Sequence, residues 1–577
     1  MKAGQRKHIR FRAALVGVFL GMALAAIGVR AFYLQVLISR DLSVKAESEY
    51  KKSVVSRGER GVIYDRNLRE LAVSVRVSSV AAYPEKIQDR KAASRLLART
   101  LDVDRDEAMG KLASKRRFVW IKRKASPRET EALKALNIFG IDFLTEFDRY
   151  YPDRSFASQA VGFSGLDGNG LEGIEFYYNR YLKGGAARLT VYRDALGRGI
   201  EDAPRASDHR GKDVVLTIDK KIQFISESAL REAVERFSAK SGMVVVMAPE
   251  TGEILAIVNY PGFDPNSFAS FGRERWRNRC VTDQFEPGST MKIFTVAAAL
   301  ESGKSSPDTL VFCHNGRYRV GKSFVHDIKP RAWLSLSQVI KYSSNIGAVK
   351  ISEIIGPGAL SRTLKDFGFG EKTGVDFPGE SPGMISPHRT WTRIDAGAIA
   401  FGQGISVSAI QMAAAVSAIG NGGDLMRPRV VKGIMDPDGR YVRRFRPERV
   451  RRAVSPKTAA AIRKMMARVT APGGTGVRAS LGRRAVCGKT GTAQKPDETG
   501  GYSDDRHIAS FVGFAPASNP AIAVVVIIDE PRGEHYGGVV AAPVFRKIAG
   551  QTLDYLDAYP DRKSPDLRAS GKDEAGA

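Results

Sequence analysis

The sequence predicts an α+β chain with three parts: an amino-terminal membrane helix, a small α+β domain, and a larger domain of helices around an antiparallel sheet. Two observations carry this prediction. Apolar runs at 241–247 and 253–258 flank a Pro-Glu-Thr-Gly turn, and similar runs follow at 508–514 and 521–528. Two such runs around a short turn are typical of a β-hairpin. Residues 13–29 carry no charge, which is typical of a membrane span.

We expect the uncharged run and the mostly apolar residues after it to form a membrane anchor over residues 13–38. With Arg30 extending its head group to the membrane surface, the run reaches the roughly 20 residues that a bilayer core requires. Five basic residues and no acidic residue precede it: Lys2, Arg6, Lys7, Arg10 and Arg12. Because basic residues stay on the cytoplasmic side, residues 1–12 are expected to be a cytoplasmic tail, with one pass through the inner membrane and a periplasmic remainder. A cleaved signal peptide is the alternative, but its apolar region is usually only about 7 to 15 residues long.

The 577 residues exceed what one hydrophobic core usually holds, which is about 250 to 300 residues. We expect the small α+β domain at 50–235 and the larger domain at 236–552. Residues 214–219 predict a strand that leads into an amphipathic helix at 221–237. The charged, small and proline-containing residues 553–577 predict a disordered tail.

Three short motifs occur in order in the larger domain: Ser289-Thr290-Met291-Lys292, Ser343-Ser344-Asn345 and Lys489-Thr490-Gly491-Thr492. A serine hydroxyl is a weak nucleophile, so it needs a base within hydrogen-bond reach and donors for the oxyanion it generates. Pro287-Gly288 breaks the chain and residues 291–300 predict a buried helix, so Ser289 and Lys292 share a face with Cβ atoms about 5 to 6 Å apart. Lys292 can therefore be the base, and the motifs together predict a serine acyl-transfer site.

The chain also contains a second copy of two of these motifs. Ser48-Glu49-Tyr50-Lys51 repeats the first pattern, and Lys372-Thr373-Gly374 repeats the third. Ser48 lies in a charged stretch without an apolar helix behind it, and Lys372 lies in a glycine-rich loop, whereas Lys489 precedes two strand-like runs. We therefore expect the two copies to be accidental matches and Lys489 to face a cleft.

Longer stretches around the motifs carry a resemblance to a known family. They are Phe285-Glu286-Pro287-Gly288-Ser289, Phe401-Gly402-Gln403-Gly404, Arg60-Gly61-Val62-Ile63-Tyr64-Asp65-Arg66-Asn67 and Gly170-Leu171-Glu172-Gly173-Ile174-Glu175. With them the sequence resembles the class B penicillin-binding proteins, and in particular their division-specific branch, over roughly residues 10–550. The resemblance implies a penicilloyl-serine transferase fold, of the β-lactamase and transpeptidase type, for the larger domain. It implies a non-catalytic pedestal of the dimerisation type for residues 50–235.

One position departs from the family pattern. The family usually has Asn-Gly at a turn of the pedestal, and this chain has Asn67-Leu68. Asparagine tolerates a left-handed backbone and leucine does not, so the sequence leaves the geometry of this turn open.

The resemblance implies D,D-transpeptidase chemistry on peptidoglycan stem peptides. Ser289 would attack the carbonyl of the penultimate D-alanine while Lys292 takes its proton. This requires a lowered Lys292 pKa, and burial and the positive charge of Lys489 both act in that direction. The backbone N–H groups of Ser289 and Thr492 would form the oxyanion hole, and Ser343 would pass a proton to the departing D-alanine amine.

The remaining motif residues are implied to hold the substrate. Asn345 would bind the substrate amide, and Lys489 with Thr490, Gly491 and Thr492 would bind the terminal carboxylate. An amine of a neighbouring stem peptide would then attack the acyl-enzyme and complete the crosslink, a reaction that β-lactams would inhibit. No metal or other cofactor is expected, since the seven histidines are dispersed and no His-x-x-x-His or Cys-x-x-Cys spacing occurs.

The resemblance also implies a role in septal wall synthesis. No glycosyltransferase domain is recognised, so an FtsW-like glycosyltransferase and other divisome membrane proteins are implied partners, contacted through residues 13–38 and the pedestal. Four alternatives stay open: a D,D-carboxypeptidase, an elongation-specific class B transpeptidase, a β-lactamase and a non-catalytic divisome scaffold. The anchor and pedestal disfavour the β-lactamase, and the intact motifs disfavour the scaffold.

The net charge of +28 would also suit a nucleic-acid-binding protein. No nucleic-acid module is recognised, and the basic residues are scattered or lie in short runs such as Lys115-Arg116-Arg117. We therefore expect membrane lipid and acidic wall polymers, and no nucleic acid, as partners of this charge. The three cysteines, Cys280, Cys313 and Cys487, leave a Cys280–Cys313 disulfide open, although buried free thiols are expected.

Overall fold

The computed structural model describes residues 3–43, 51–193, 199–201, 210–497 and 501–558. The chain divides into two compact units. The first unit comprises Met1–Gly58 and Gly185–Arg210, and the second comprises Glu59–Gly184 and Gly211–Ala577.

The first unit contains the apolar helix and a small sheet. The helix Ala3–Phe32 continues as one π-helical turn, Tyr33–Leu37. The stretch Lys7–Leu37 has no buried part, and by length and composition it is the one helix among the described residues that could cross a membrane. It fits the predicted single-pass anchor. Three antiparallel strands complete this unit, in the spatial order Lys51–Arg57, Ala186–Arg193 and Gly199–Glu201.

The second unit begins with a seven-stranded sheet. Its spatial order is Tyr441–Arg444, Val431–Met435, Asp213–Leu216, Ile63–Tyr64, Glu70–Ala82 and Val119–Ala125, with Ile141–Tyr150 also paired to Glu70–Ala82. Its helices are Arg90–Leu101, Arg105–Ala113, Pro127–Ala135, Ser158–Val161, Gly173–Tyr177 and Asn179–Leu182, with a 3-10 turn at Pro84–Lys86. Two of the seven strands, Val431–Met435 and Tyr441–Arg444, come from the region assigned above to the larger domain. The first of them pairs antiparallel with Asp213–Leu216 of the pedestal region. The sheet therefore ties the pedestal to the later sequence.

The turn at Asn67-Leu68 forms despite the missing glycine. Leu68 adopts a left-handed backbone with φ of 61°, and the flanking strands Ile63–Tyr64 and Glu70–Ala82 still pair. Asp65 supports the turn, since its side chain accepts hydrogen bonds from the backbone N–H groups of Asn67 and Arg69. The strain is thus placed on a leucine that is 54% exposed.

A five-stranded antiparallel sheet forms the centre of the larger domain. Its spatial order is Ile254–Tyr260, Ser241–Met247, Ile522–Asp529, Tyr502–Ala515 and Cys487–Pro496. The predicted hairpin, the two later strands and the Lys489 strand are all present. Cys487–Pro496, called the lysine strand below, is an edge strand and borders the site.

Helices cover both faces of this sheet. Val244 and Val246 pack in a cluster with the helices Lys220–Arg236 and Ala542–Ala558, whereas Met243 and Val245 pack on the opposite face. The sequence boundary at 235 placed the helix Lys220–Arg236 in the pedestal, but its apolar face packs on the sheet of the larger domain. The other helices of the larger domain are Arg279–Thr282, Lys292–Glu301, Leu336–Tyr342, Asn345–Ile355, Pro357–Asp366, Arg393–Phe401, Ala409–Gly420, Pro456–Thr470, Gly537–Val540 and Ala542–Ala558. Its 3-10 segments are Pro265–Ser270, Arg273–Arg275, Gly288–Met291, His314–Gly316, His388–Thr390 and Val477–Ala479. Three short strand pairs complete it: Leu310–Phe312 with Trp333–Ser335, Arg317–Val320 with Ser323–His326, and Asp424–Met426 with Arg449–Arg452.

The predicted start of the disordered tail was wrong. The last helix continues to Ala558, six residues into the segment 553–577. Leu553 and Leu556 are buried in the cluster that covers the sheet, so apolar burial extends the helix through a locally charged sequence. Residues 559–577 lie outside the described residues.

Candidate active site

The nucleophile motif lies at the start of a buried helix. Gly288–Met291 forms a 3-10 turn that continues into the helix Lys292–Glu301, so Ser289 and Lys292 lie one turn apart as predicted. Gly288 N donates to Gly402 O at 3.0 Å, and a Cβ on Gly402 would lie 2.0 Å from Gly288 O. Only glycine permits this approach, which explains why the Phe401-Gly402-Gln403-Gly404 segment accompanies the nucleophile.

Four oxygen atoms surround the Lys292 amine. Its Nζ lies 3.0 Å from Ser289 Oγ, 2.7 Å from Ser343 O, 3.3 Å from Ser343 Oγ and 2.6 Å from Asn345 Oδ1. The Ser343 carbonyl and the Asn345 amide oxygen can only accept hydrogen bonds. A neutral amine has two N–H groups for these two acceptors and keeps its lone pair for the Ser289 hydroxyl. The geometry therefore suits a lysine that accepts a proton from Ser289.

Burial favours the neutral form of this amine. Lys292 is fully buried, and burial lowers the pKa of Lys292 to about 7, although the nearby Asp327 carboxylate acts in the opposite direction. The sequence predicted that the positive charge of Lys489 would lower this pKa as well. In the structure, burial is what lowers it. The repulsion between the two lysines instead affects Lys489, whose pKa is lowered well below its ordinary value by burial and by the charge of Lys292.

The second motif supplies a hydroxyl between the two lysines. Ser343 has a left-handed backbone with φ of 62° at the end of the helix Leu336–Tyr342. Its Oγ lies 3.3 Å from Lys292 Nζ and 2.9 Å from Lys489 Nζ. Such a conformation is unfavourable for a residue with a side chain and is typical of functional sites. One hydroxyl thus connects both buried amines.

Asn345 lies at the start of the next helix, Asn345–Ile355. Its Oδ1 is 2.6 Å from Lys292 Nζ, and its Nδ2 donates to His326 O at 3.1 Å. Both ends of the amide are therefore held by the protein, and the side chain orients the Lys292 amine.

Sequence reasoning missed Asp327, which holds the second motif in place. Its carboxylate accepts hydrogen bonds from Ser344 Oγ at 2.5 Å, Asn345 N at 2.6 Å and Ile346 N at 3.1 Å. A carboxylate at a helix start satisfies backbone donors that have no partner within the helix. Asp327 follows the strand Ser323–His326, and no motif or spacing marks it in the sequence.

The lysine strand forms one wall of the site. Lys489 Nζ lies 2.9 Å from Ser343 Oγ and 3.0 Å from Thr490 O. Thr490 Oγ1 donates to Thr475 Oγ1 at 3.0 Å, and Thr492 Oγ1 accepts from Gly537 N at 3.1 Å. A Cβ on Gly491 would lie 2.2 Å from Ser510 Oγ and 2.9 Å from Thr290 Cγ2, so any larger residue would have to displace both side chains.

A cleft of about 720 Å³ opens over these groups. Ser289, Ser343, Asn345, Thr490 and Thr492 line it, and Ser289 is partly exposed. Both lysines are fully buried behind this surface. The volume lies within the range of small-molecule sites, so the cleft can admit a peptide terminus next to Ser289.

The second copies of the motifs lie elsewhere. Thr373 donates its backbone N–H and its hydroxyl to Glu380 at 2.6 and 2.5 Å, so that loop serves a local turn. Ser48 lies outside the described residues. The expectation of buried free thiols is confirmed, because Cys280, Cys313 and Cys487 are all buried and free. Burial raises the pKa of the Cys487 thiol to about 12, which disfavours a cysteine nucleophile there.

Two family models match the chain. The Penicillin-binding Protein dimerisation domain matches residues 55–216, and the Penicillin binding protein transpeptidase domain matches residues 242–550. Among curated relatives, the probable peptidoglycan D,D-transpeptidase PenA of Neisseria meningitidis is 35% identical over 558 residues, 96% of this chain and 94% of that protein. The peptidoglycan D,D-transpeptidase FtsI of Escherichia coli is 34% identical over 570 residues, 96% of this chain and 94% of that protein. Stage V sporulation protein D of Bacillus subtilis is 35% identical over 569 residues, 96% of this chain and 87% of that protein.

Solved structures are similar as well. Penicillin-binding protein 3 of Mycobacterium tuberculosis has a TM-score of 0.67 at 29% identity, covering 87% of this chain and 97% of that chain. It has also been solved in complex with aztreonam. The transpeptidase domain of Burkholderia pseudomallei penicillin-binding protein 3 has a TM-score of 0.53 at 39% identity, covering 59% of this chain and 96% of that chain. The likeness therefore covers both the pedestal and the larger domain.

Proposed function

The chain belongs to the class B penicillin-binding proteins, a family of peptidoglycan D,D-transpeptidases, and from that membership we propose that it crosslinks stem peptides through an acyl-serine at Ser289. The observation that carries the proposal is the environment of Lys292. Its amine lies 3.0 Å from Ser289 Oγ while two pure acceptors occupy its N–H groups. A base held in this way fits nucleophilic catalysis by serine.

In the acylation step, Ser289 Oγ forms a bond to the carbonyl carbon of the penultimate D-alanine as its proton moves to Lys292 Nζ. The lowered pKa of Lys292 makes this transfer feasible near neutral pH. The C–N bond to the terminal D-alanine then breaks, and the leaving nitrogen needs a proton. Ser343 Oγ lies within 3.3 Å of Lys292 Nζ, so the proton can pass from Lys292 through Ser343 to the departing amine.

The carbonyl oxygen becomes negatively charged during attack. The backbone N–H groups of Ser289 and Thr492 are proposed to stabilise it. Thr492 lies on the edge strand of the five-stranded sheet, and an edge strand has backbone donors that no neighbouring strand pairs. Both residues line the same cleft.

The terminal carboxylate of the substrate is proposed to bind at Lys489, Thr490 and Thr492, with Gly491 allowing close approach. A carboxylate near Lys489 would raise the pKa of this buried amine and favour its charged form. That charge would in turn favour the neutral form of Lys292. We propose that Asn345 positions Lys292 as well as binding the substrate amide, because its Oδ1 already lies 2.6 Å from Lys292 Nζ.

The deacylation step decides the product. Attack by an amine of a neighbouring stem peptide gives the crosslink, whereas attack by water gives a carboxypeptidase. FtsI and PenA carry the names of a peptidoglycan D,D-transpeptidase and a probable one, which favours the amine. We further propose that the chain acts in septal wall synthesis, anchored in the inner membrane through residues 13–38 with its amino terminus in the cytoplasm. A partner that polymerises glycan, such as an FtsW-like glycosyltransferase, would supply the strands.

Covalent labelling by a fluorescent penicillin tests the proposal. The full chain in detergent should take the label, Ser289→Ala should lose it, and the matched control Ser48→Ala should keep it. If the unaltered chain takes no label, the acyl-transfer proposal fails and a scaffold function replaces it. Release of D-alanine from a pentapeptide, measured with and without an added D-amino acid acceptor, then separates transfer to an amine from hydrolysis.

A further inference from the structure

A second cleft lies away from Ser289, in the same compact unit, between the pedestal and the larger domain. Its volume is about 590 Å³, which is within the range of small-molecule sites. Residues of the pedestal helix Asn179–Leu182 and of the strand Tyr441–Arg444 with its flanks border it. Its cationic lining comprises Arg180, Arg427, Arg429, Arg443 and Arg446.

Two of these arginines already have carboxylate partners. Arg427 pairs with Glu448 at 2.8 Å, and Arg429 pairs with Glu253 at 2.8 Å. Among the described residues, none of the remaining three, Arg180, Arg443 and Arg446, lies within ion-pair distance of a carboxylate. The cleft therefore has more positive charge than its own acidic groups neutralise.

Two of the three guanidinium groups converge on one neutral oxygen. Arg180 Nη2 donates to Tyr181 Oη at 3.0 Å, and Arg443 Nη1 donates to the same oxygen at 3.3 Å. The two nitrogens consequently lie within about 6 Å of each other, a separation at which like charges repel appreciably. Partial burial acts to raise the pKa of Tyr181, but the two guanidinium groups outweigh it and the pKa is lowered. An oxyanion between the two arginines would remove this repulsion.

The one buried carboxylate of the cleft does not neutralise these arginines. Asp376 accepts hydrogen bonds from Tyr178 Oη at 2.8 Å and from the backbone N–H groups of Val430 and Val431 at 2.6 and 3.0 Å. It thus holds Tyr178 and the strand Val431–Met435 in place. Arg180 follows Tyr178 in the pedestal, and Arg443 lies on the strand Tyr441–Arg444, which pairs with Val431–Met435. The fold therefore holds both arginines at this cleft.

We propose that this arginine cleft, defined by Arg180, Arg443 and Arg446, binds a phosphate group. A guanidinium group donates two parallel hydrogen bonds to phosphate, and a phosphate has enough oxygens to accept from several such groups at once. A carboxylate has only two oxygens and one charge, so it matches three unpaired guanidinium groups less well. The phosphate could come from a lipid headgroup or from a soluble phosphate, and both present the same chemistry.

The test measures binding of soluble probes to the full chain in detergent by titration calorimetry. Inorganic pyrophosphate should bind saturably, and Arg443→Gln and Arg180→Gln should each weaken binding about tenfold, because each removes a charge-assisted contact. Arg440→Gln is the matched control: like Arg180 and Arg443 it is exposed, but it does not line the cleft, so its loss should change the affinity less than about twofold. Equal weakening in all three variants would show a general effect of the basic surface and would overturn the proposal, as would the absence of saturable binding.

Further probes identify the source of the phosphate. Tighter binding of glycerophosphoglycerol, the headgroup of an anionic phospholipid, would assign the cleft to a lipid. Tighter binding of inorganic phosphate would assign it to a soluble ligand. Equal competition by acetate would overturn the assignment to phosphate. Penicillin labelling of Arg180→Gln and Arg443→Gln should equal that of the unaltered chain. Failure of labelling in the unaltered chain would leave the phosphate-binding result intact. The acyl-transfer proposal and the phosphate-site proposal can therefore fail separately.

Discussion

The catalytic cleft and the pedestal both bury charged side chains, but only the pedestal pairs them with opposite charges. Lys292 and Lys489 are fully buried, and their contacts within hydrogen-bond distance are hydroxyl, carbonyl and amide oxygens. In the pedestal, Glu175 is fully buried between Arg60 at 2.5 Å and Arg149 at 2.6 Å. The same physical cost of burial is therefore met in two different ways.

The difference appears in the pKa values. Burial acts to raise the pKa of Glu175, but the charges of Arg149 and Arg60 outweigh it and the pKa is lowered, so this carboxylate stays ionised. At Lys292, burial lowers the pKa to about 7: the nearby Asp327 carboxylate opposes it only in part, and no carboxylate among the described residues lies within hydrogen-bond distance of the amine. A paired buried charge stabilises a structure only if both partners stay, whereas an unpaired buried amine becomes a base. We infer that the pedestal network serves folding and that the cleft sacrifices stability for reactivity.

Lys292→Met should have the largest effect, because it should remove reactivity from the cleft without unfolding the protein. It removes the amine that acts as the base while keeping an unbranched side chain one atom shorter, so acylation by penicillin should fall by about a thousandfold. The thermal unfolding midpoint should change little, because relief from burying an amine offsets the loss of its hydrogen bonds to Ser343 O and Asn345 Oδ1. Stopped-flow labelling and differential scanning calorimetry measure the two effects. A large loss of stability would mean that Lys292 is structural, which contradicts the comparison.

Glu175→Gln should give the opposite result. Two arginines would lose their common partner in a buried place, and the pedestal should lose about 3 kcal/mol of stability. Acylation per folded molecule should be unchanged, since Glu175 touches no residue of the cleft near Ser289. Urea unfolding measures the loss, and Glu172→Gln, a partly exposed neighbour without a buried arginine pair, serves as the control. An equal loss in both variants would mean that the buried ion pairs contribute nothing specific.

The pH dependence of acylation reports the unpaired amine directly. Only neutral Lys292 can accept the Ser289 proton, so the rate should rise about tenfold per pH unit below the lowered pKa and level off above it. With the pKa of Lys292 at about 7, the bend should fall near that pH, not near the ordinary lysine value of 10.5. The residual rate of Lys292→Met should lack this bend. A bend that persists in the variant would assign the titration to another group.

Much of this site could be predicted from the sequence because its chemistry is carried by local patterns. The spacing of Ser289 and Lys292 on one helix, and the apolar runs of the five-stranded sheet, are short-range signals that the structure matches. Asp327 could not be predicted, because its role depends on a loop that meets the start of a distant helix. The source of the low Lys292 pKa was partly predicted: the apolar run at 291–300 indicated a buried helix, and burial does lower this pKa, whereas the predicted contribution of the Lys489 charge is not among the causes.

The end of the last helix could not be predicted from the sequence either. Charged residues near 553–558 predicted disorder, yet Leu553 and Leu556 pack against the sheet and keep the helix going to Ala558. Composition averages over residues, whereas two leucines on one helix face are enough to bury that face. Tertiary packing therefore decided the boundary.

The smallest effect is expected at Leu68, which has nearly the same backbone as Ser343. Their φ values are 61° and 62°, and both conformations are costly for residues with a side chain. At Ser343 the strain places a hydroxyl between two lysines, whereas the Leu68 side chain is 54% exposed and the turn is held by hydrogen bonds to Asp65, which do not depend on the leucine side chain. Leu68→Asn should therefore raise the stability of the pedestal by about 0.5 to 1 kcal/mol, and Leu68→Ala, which shortens the side chain without easing the backbone, should not. Urea unfolding midpoints test this prediction. Equal midpoints for Leu68→Asn and Leu68→Ala would mean that the left-handed backbone at Leu68 costs no stability.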